Sequence, residues 1–150
     1  LTEEKLTLAK SIGATHTINS KLKNPENEIL NILGKNNLDV FIDNTGIASI
    51  IEMGYKIINS KGRLVLVGVP KKGENINIFS LPLHFGKTIS GSHGGNIKPE
   101  VDILRYLNLI NHKSINLEIL ISKYFNLKDI NSGISQLEQG KISGRIMIKF

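Results

Sequence analysis

Apolar and polar residues alternate along the chain in a pattern that predicts a succession of helices and strands. Residues 2–12 carry apolar side chains at helical spacing after a threonine cap and early glutamates, and Gly13 is the predicted stop. The stretch ATHTIN, residues 14–19, is rich in β-branched residues and predicts a short strand. A second helix is predicted to begin at Pro25 and to end at Gly34. Its predicted buried stripe consists of Ile29, Leu30 and Leu33.

The middle of the chain predicts a strand, a helix and another strand. LDVFIDN, residues 38–44, is apolar at nearly every step, which is typical of a strand covered on both faces, so we expect it to be central in a parallel sheet. Apolar residues at helical spacing predict a helix over 47–58, which the polar residues 59–62 break. RLVLVGV, residues 63–69, predicts the most hydrophobic strand.

The remainder of the chain continues this alternation. Strands are predicted at 75–79 and 87–92, with a short helical or turn segment at 81–85 between them. The later predicted elements are a helix from Pro99 to the polar stretch Asn111 to Ser114, a strand at 121–125, a helix around Asn126 to Gln139 that Gly140 stops, and a strand at 144–150. Connections this short fit crossovers, so the pattern predicts a single α/β domain over 1–150 with a doubly wound, mostly parallel sheet.

Composition and charge exclude several classes of function. The 150 residues include no cysteine, which rules out disulfides, thiol nucleophiles and cysteine-ligated zinc in this chain. No apolar run approaches the length of a membrane span and no signal-peptide layout is present, so we expect a cytoplasmic protein with no membrane partner. The net charge is +6, but the basic residues are scattered and aromatic residues make up only 5%, so we expect no nucleic-acid partner.

Two predicted strands are followed by turns that suit a ligand, because open parallel sheets bind ligands at the carboxyl ends of their strands. Thr45 and Gly46 follow the first of these strands, where glycine permits a close backbone approach and the next helix presents its positive end. Val67, Gly68 and Val69 follow the second, where a flat ring could lie against the backbone. Each motif is equally well interpreted as a plain turn, and both interpretations stay open.

Three further positions have two interpretations each. His93 and Gly94 lie in the glycine-rich loop 91–95, which predicts a turn with positive φ, or a ligand contact. Arg145 is either a guanidinium that clamps a phosphate or a solvated arginine at a strand edge. Asp43 is interpreted as a capping residue in preference to a ligand contact.

Motifs for a complete phosphate site and for a metal site are absent from the sequence. No glycine spacing matches the dinucleotide fingerprint G-x-G-x-x-G or a P-loop. The histidines have no partners at metal-ligand or triad spacing, so we predict neither metal ligands nor catalytic residues among them. They are His16, His84, His93 and His112.

Seven segments of the chain, taken in order, carry a family resemblance. They are KLTLAKSIGATHTIN, LDVFIDNTG, KGRLVLVGVP, GKTISGSHGG, the helix with Asp102-Ile103, LKDINSGISQLEQGKISGR and IMIKF. Their order is similar to the coenzyme domain of zinc-type alcohol dehydrogenases in the medium-chain dehydrogenase/reductase family. The resemblance implies a Rossmann-type domain that is truncated at its N-terminus. Its first strand, its glycine-rich loop and the catalytic zinc domain would be missing.

The same resemblance implies a set of contacts with a nicotinamide dinucleotide, NAD or NADP. It places Thr45 and Gly46 along the path from adenosine to nicotinamide, and Val67, Gly68 and Val69 beside the nicotinamide ring. Backbone contacts on the nicotinamide side would come from His93 and Gly94, a pyrophosphate contact from Arg145, and a contact near the adenosine ribose from Lys5. The acidic residue that binds the ribose hydroxyls would fall just before Leu1, so the resemblance does not imply a preference between NAD and NADP.

The function implied by the resemblance is that of a fragment of an alcohol or polyol dehydrogenase. Hydride would pass between an alcohol and the nicotinamide, and zinc is expected in the parent protein only. We expect this chain alone to be inactive, and we expect a homodimer through the edge strand near Lys87–His93. A non-catalytic nucleotide-sensing or oligomerisation module of the same fold is the alternative.

Overall fold

A computed structural model describes residues 2–113 and 116–150, which form two compact units, each with its own parallel sheet. One unit is Pro25–Pro99, and the other combines Leu1–Asn24 with Glu100–Phe150. No composition shift in the sequence marks this division. The single truncated domain therefore stays a prediction, and Ser114, at the predicted end of one helix, lies outside the described residues.

Helices and strands are interspersed along the chain, but they do not strictly alternate: the first two helices follow each other, and only a 3-10 helix separates the second strand from the third. The helices are α1 (Glu3–Ser11), α2 (Pro25–Leu33), α3 (Ala48–Ile57), α4 (Pro99–Lys113) and α5 (Ile130–Glu138). The strands are β1 (Leu38–Asp43), β2 (Ile58–Leu66), β3 (Thr88–Gly91), β4 (Ile121–Asn126) and β5 (Arg145–Lys149). Short 3-10 helices lie at Leu81–Phe85, Gly94–Asn96, Leu117–Leu120 and Leu127–Asp129.

The sheet of the Pro25–Pro99 unit has the order β1-β2-β3, with every neighbouring pair parallel. Its register sets Asp43 beside Leu66 and Leu66 beside Gly91, so the carboxyl ends of the strands are level. The core of the unit packs α3 against the sheet through Ile51, Tyr55, Ile58 and Leu64, which are all buried. Leu64 is fully inaccessible, because it lies on the central strand under the helix.

The prediction that residues 38–44 form a central strand covered on both faces is wrong. Among the described residues, β1 pairs only with β2 and forms an edge of the sheet. Val40 is 38% exposed and Ile42 is 63% exposed, so the face of the strand that these two side chains share is not fully covered. An apolar run reports a tendency to be buried, but the number of neighbouring strands depends on the rest of the fold.

Two predicted strands, at 14–19 and 75–79, are also wrong. Neither stretch pairs with a strand in the described part of the chain. The second is held instead by α3, because the Glu52 carboxylate accepts from the Asn77 N–H at 2.7 Å and the Tyr55 hydroxyl donates to the Phe79 carbonyl at 2.8 Å. Residues rich in β propensity form a strand only where a neighbouring strand completes their hydrogen bonds.

The strand predicted to begin at residue 63 starts earlier, at Ile58, and ends at Leu66. The helix before them does end close to where predicted, at Ile57, but the polar residues 59–62 belong to the strand, at a register shift opposite Leu38 and Val40. The Asn59 side chain donates to Asp39 across this irregularity. A side-chain hydrogen bond thus holds a stretch that the apolar pattern identifies as a break.

In the second unit, β4 and β5 form a parallel pair and α5 packs on it. The packing is close, because a Cβ on Gly133 of α5 would lie 3.0 Å from Ile146 Cδ1. The capping predictions for this unit are confirmed. The Thr2 side chain accepts from the Lys5 N–H, and Gly13 and Gly140 have positive φ after their helices.

Apolar stripes on two helices are more exposed than the pattern indicates. Leu30 of α2 is 46% exposed, and on α4 Val101 is 58% and Leu104 is 62% exposed. Helical spacing identifies an apolar face, but which surface covers that face is a tertiary property.

Candidate functional site

Three loops follow the carboxyl ends of β1, β2 and β3 at one edge of the sheet, because these strands are parallel and level. The loops are residues 44–47, 67–70 and 92–96. The third loop is joined to the second strand by the Ser92 N–H, which donates to the Leu66 carbonyl at 2.8 Å. This is the edge at which the sequence predicts a ligand.

Asp43, the last residue of β1, organises the first loop. Asp43 is buried, with only 1% of the residue exposed. Oδ1 accepts from the Thr45 N–H at 3.0 Å and from the Thr45 hydroxyl at 2.6 Å, while Oδ2 accepts from the Gly46 N–H at 2.9 Å. The interpretation of Asp43 as a helix-capping residue is wrong, because Ile47 is the N-cap of α3 and the Asp43 carboxylate accepts from N–H groups that precede the helix.

The main chain of Asp43 also holds the second loop. Its carbonyl accepts from the Val67 N–H at 2.8 Å and from the Gly68 N–H at 3.0 Å. One buried residue therefore joins the loop after β1 to the loop after β2. The sequence contains a signal for the first role, since aspartate before Thr-Gly favours a side-chain turn, but no local signal for the second.

The environment of the Asp43 carboxyl has opposing effects on its pKa. Burial raises the pKa, while the hydrogen bonds from the Thr45 hydroxyl and from the N–H groups of Gly46 and Thr45 lower it. The net result is a pKa below the ordinary value. Asp43 is therefore an ionised acceptor at neutral pH, and it is unsuited to donating a proton.

Gly46 and Gly68 let the two loops touch each other through their backbones. Gly46 has φ +69, and a Cβ there would lie 2.8 Å from Pro70 N and would also contact the Val69 backbone. A Cβ on Gly68 would lie 2.5 Å from Thr45 N. Both positions need glycine for packing between the loops, whether or not a ligand approaches them.

A cavity of about 450 Å³ lies beside these two loops. Its walls combine residues of the loops, of β2 and of the start of α3 with the stretch Glu74–Ile76. The principal lining residues are Gly46, Ala48, Ile51, Leu66, Gly68 and Pro70. The sequence does not identify Glu74–Ile76 as part of a site, because the overlapping residues 75–79 have the pattern of a strand. The cavity is mostly apolar and of the size that accepts a small flat ring.

The structure brings some of the predicted site residues together. Thr45, Val67 and Val69 lie in the same two loops as Gly46 and Gly68, and Val69 is 88% exposed. His93 and Gly94 follow β3 and are exposed, but they do not line this cavity. The other histidines are exposed as well, at positions 16, 84 and 112.

Lys5 and Arg145 belong to the second unit. Lys5 is half-buried on α1, and Arg145 is exposed at the first position of β5. Gly144, just before Arg145, has φ +121, and a Cβ there would lie 2.5 Å from the Leu120 carbonyl oxygen. The backbone before Arg145 is thus shaped by the end of the 3-10 helix Leu117–Leu120. The ligand roles of all these residues stay predictions.

Across residues 2–113 and 116–150, no group of three or more His, Cys, Asp or Glu side chains is placed to hold a metal ion. No helix in the described part of the chain has the length and apolar character needed to cross a membrane.

Comparison with known proteins gives consistent matches. The sequence model of a family described as zinc-binding dehydrogenase matches residues 1–110. Alcohol dehydrogenase-like 1 of Arabidopsis thaliana is 28% identical over 141 residues, which are 92% of this chain and 36% of the relative. Alcohol dehydrogenase-like 5 of the same plant is 28% identical and is matched over 94% of this chain and 37% of its own length. The chain therefore spans little more than a third of these relatives.

Solved structures resemble the chain along its whole length. Benzyl alcohol dehydrogenase from Acinetobacter calcoaceticus matches with a TM-score of 0.87 and 28% identity, over 100% of this chain and 41% of that protein. An alcohol dehydrogenase zinc-binding domain protein from Burkholderia ambifaria matches with a TM-score of 0.86 and 27% identity, over 99% of this chain and 40% of that protein. The predicted Rossmann-type α/β class with parallel strands is confirmed.

Proposed function

The chain belongs to the zinc-binding dehydrogenase family, and from this premise we propose that its loops 44–47 and 67–70 bind the nicotinamide side of NAD or NADP. The observation that supports the proposal most directly is the cavity of about 450 Å³ beside Gly46 and Gly68. It lies at the carboxyl ends of parallel strands, where this class of sheet binds nucleotides. Its mostly apolar walls suit one face of a flat ring.

The residues of this chain would bind and orient the coenzyme. When bound, the nicotinamide ring supplies or accepts a hydride. Leu66, Ala48 and Ile51 would pack against the ring and keep water away from it, while the Asp43 hydrogen bonds keep the two loops rigid. Polar contacts would come from the backbone of Val67, His93 and Gly94. In the second unit, Arg145 would bind the pyrophosphate and Lys5 would lie near the adenosine ribose.

We propose an alcohol or polyol as the substrate of an enzyme that contains this chain. The names of its relatives support this, since one similar structure is a benzyl alcohol dehydrogenase. The described residues do not provide a group of three or more metal ligands, and the sequence has no cysteine. The proposed role of these 150 residues is therefore coenzyme binding, and we expect them to be inactive alone.

A titration with reduced nicotinamide mononucleotide tests the proposal, because this probe carries the ring without the second nucleotide. Ala48 lines the cavity, so A48L should fill it and weaken binding by roughly tenfold. Ser49 is the next residue on α3 but lines a different cavity, so S49L is the matched control and should bind like the wild type. Equal binding by A48L and the wild type would exclude this cavity as the nicotinamide site.

A separate assay addresses inactivity. The purified chain with NAD and benzyl alcohol should give no turnover above background. Turnover that is abolished by A48L would contradict the expectation that other parts of an enzyme are needed.

An oligomerisation or nucleotide-sensing module is the second candidate function. β3 lies at an edge of its sheet in the described part of the chain, and an edge strand offers unpaired N–H and C=O groups to a second copy. We propose a homodimer through the segment Lys87–His93. Analytical ultracentrifugation should then show a dimer with or without NADH. The sensing module would be favoured if the dimer binds NADH and also shows no hydride transfer in an enzyme assay with any partner chain.

A further inference from the structure

A second cavity of the Pro25–Pro99 unit lies against a different face of α3. Its volume is about 520 Å³. The residues of α3 that line it include Ser49, Glu52 and Met53, whereas Ala48 and Ile51 line the cavity of about 450 Å³. These sets lie on different faces of the helix. The second cavity is therefore independent of the proposed nicotinamide site.

Lys87 is the buried charge of this cavity. The residue is only 8% exposed, and its Nζ donates to the Tyr55 carbonyl at 2.8 Å and lies 4.6 Å from the centre of the Tyr55 ring. Tyr55 is in the last turn of α3, so its carbonyl is one of those left without a helical donor. This contact explains why Lys87 can be buried, and it leaves ammonium N–H groups for a further acceptor.

The two carboxylates that line the cavity, Glu26 and Glu52, form their described contacts with groups other than Lys87. Glu26 forms an ion pair with Lys56 at 2.7 Å, and Glu52 accepts from the Asn77 N–H at 2.7 Å. In the described part of the chain, Lys87 has no carboxylate in ion-pair distance. The carboxyl end of a helix carries only about half an elementary charge, so Tyr55 offsets the ammonium in part.

Desolvation of the Lys87 amine is unfavourable for its charged form. Burial lowers its pKa below the ordinary value. An anion placed beside the ammonium would relieve this penalty, because the charged form would then have a counter-charge. A buried cation on an apolar wall is also an arrangement that recurs in small-molecule sites.

We propose that this cavity binds a small organic carboxylate, with the carboxylate on Lys87 and an apolar body against Met53, Ile78, Phe79 and Pro82. A volume of about 520 Å³ accommodates a molecule of one ring with short substituents. The ion pair between Glu26 and Lys56 is part of the same lining, but Lys56 is already neutralised and its side chain is 71% exposed. Lys87 therefore provides the recognition of charge.

An NMR titration of the ¹⁵N-labelled chain with benzoate and with benzamide tests this proposal. The two probes share a ring and a similar shape, but only benzoate carries a charge. We expect benzoate to shift the amide signals of Met53, Ile78 and Phe79, with an affinity at least roughly tenfold higher than that of benzamide. Equal affinities, shifts confined to other parts of the chain, or the absence of shifts would each overturn the proposal.

Variants separate Lys87 from general attraction to a basic protein. K87M should weaken benzoate binding by at least roughly tenfold, while K72M, at an exposed lysine outside the cavity lining, should bind like the wild type. A loss of binding in K72M that equals the loss in K87M would contradict the assignment. If K87M does not fold, the comparison of benzoate with benzamide on the wild type decides by itself.

Discussion

Replacing Asp43 by asparagine should weaken the hydrogen bonds that hold both loops of the candidate site, because both loops are attached to this residue. The aspartate carboxylate receives N–H groups on both oxygens, from Thr45 on Oδ1 and from Gly46 on Oδ2. An asparagine amide has one oxygen and one NH₂ group, so in either orientation a donor faces one of these buried N–H groups. D43N thus leaves an N–H without an acceptor and weakens the other hydrogen bonds by removing the charge.

The expected loss of unfolding free energy in D43N follows from these contacts. Hydrogen bonds to a charged group contribute about 1.5 to 3 kcal/mol each, and an unsatisfied buried N–H costs about 1 to 3 kcal/mol. Because part of the hydrogen bonding survives at the remaining oxygen, we expect D43N to lower the free energy of unfolding by about 3 to 5 kcal/mol. That is a large share of the roughly 5 to 15 kcal/mol typical of a folded domain.

The pH dependence of the stability difference between wild type and D43N should identify the charged carboxylate as the cause of that difference. The pKa of Asp43 is lowered in the folded protein from an ordinary value of 3.8, so its stabilisation is present above that pH and is lost as the pH falls through the folded-state value. The difference between wild type and D43N should be constant between about pH 5 and 7, and it should shrink below about pH 4.

Urea unfolding followed by circular dichroism at several pH values measures this difference. Asp39 supplies the matched control, because it lies on the same strand, is exposed and accepts a hydrogen bond from Asn59. D39N should change the free energy of unfolding by less than about 1 kcal/mol. The reasoning fails if D43N is no more destabilising than D39N, or if the difference between wild type and D43N grows on acidification.

The remaining predictions concern packing and a single buried hydrogen bond. G68A should lower the free energy of unfolding by roughly 2 kcal/mol or more, because its Cβ would lie 2.5 Å from Thr45 N and backbone cannot rotate away. G91A is its control, since a Cβ there meets nothing within 4 Å, and equal thermal unfolding midpoints for the two variants would refute the explanation. Y55F removes the hydroxyl that donates to the Phe79 carbonyl at 2.8 Å, and should cost about 1 kcal/mol in urea unfolding. A neutral result for Y55F would show that water replaces this hydrogen bond.

Much of the fold could be predicted because its signals are local. Thr2 caps the start of α1, and Gly13 and Gly140 follow the ends of α1 and α5, through contacts or backbone angles that involve only near neighbours in the chain. Thr45 and Val67 could be assigned to one edge of the sheet, because parallel strands place their carboxyl ends together. For these features, the amino-acid order contains the physical cause.

Tertiary structure alone decided the properties that depend on distant residues. Residues 14–19 have the composition of a strand but no strand beside them, and β1 has the pattern of a central strand yet lies at an edge among the described residues. Lys87 has no feature in its local sequence that predicts burial, and its burial results from the approach of Tyr55, far earlier in the chain. Gly68 is required because Thr45 comes within contact distance. Burial and close approach are sums over neighbours in space, and a local pattern does not specify those neighbours.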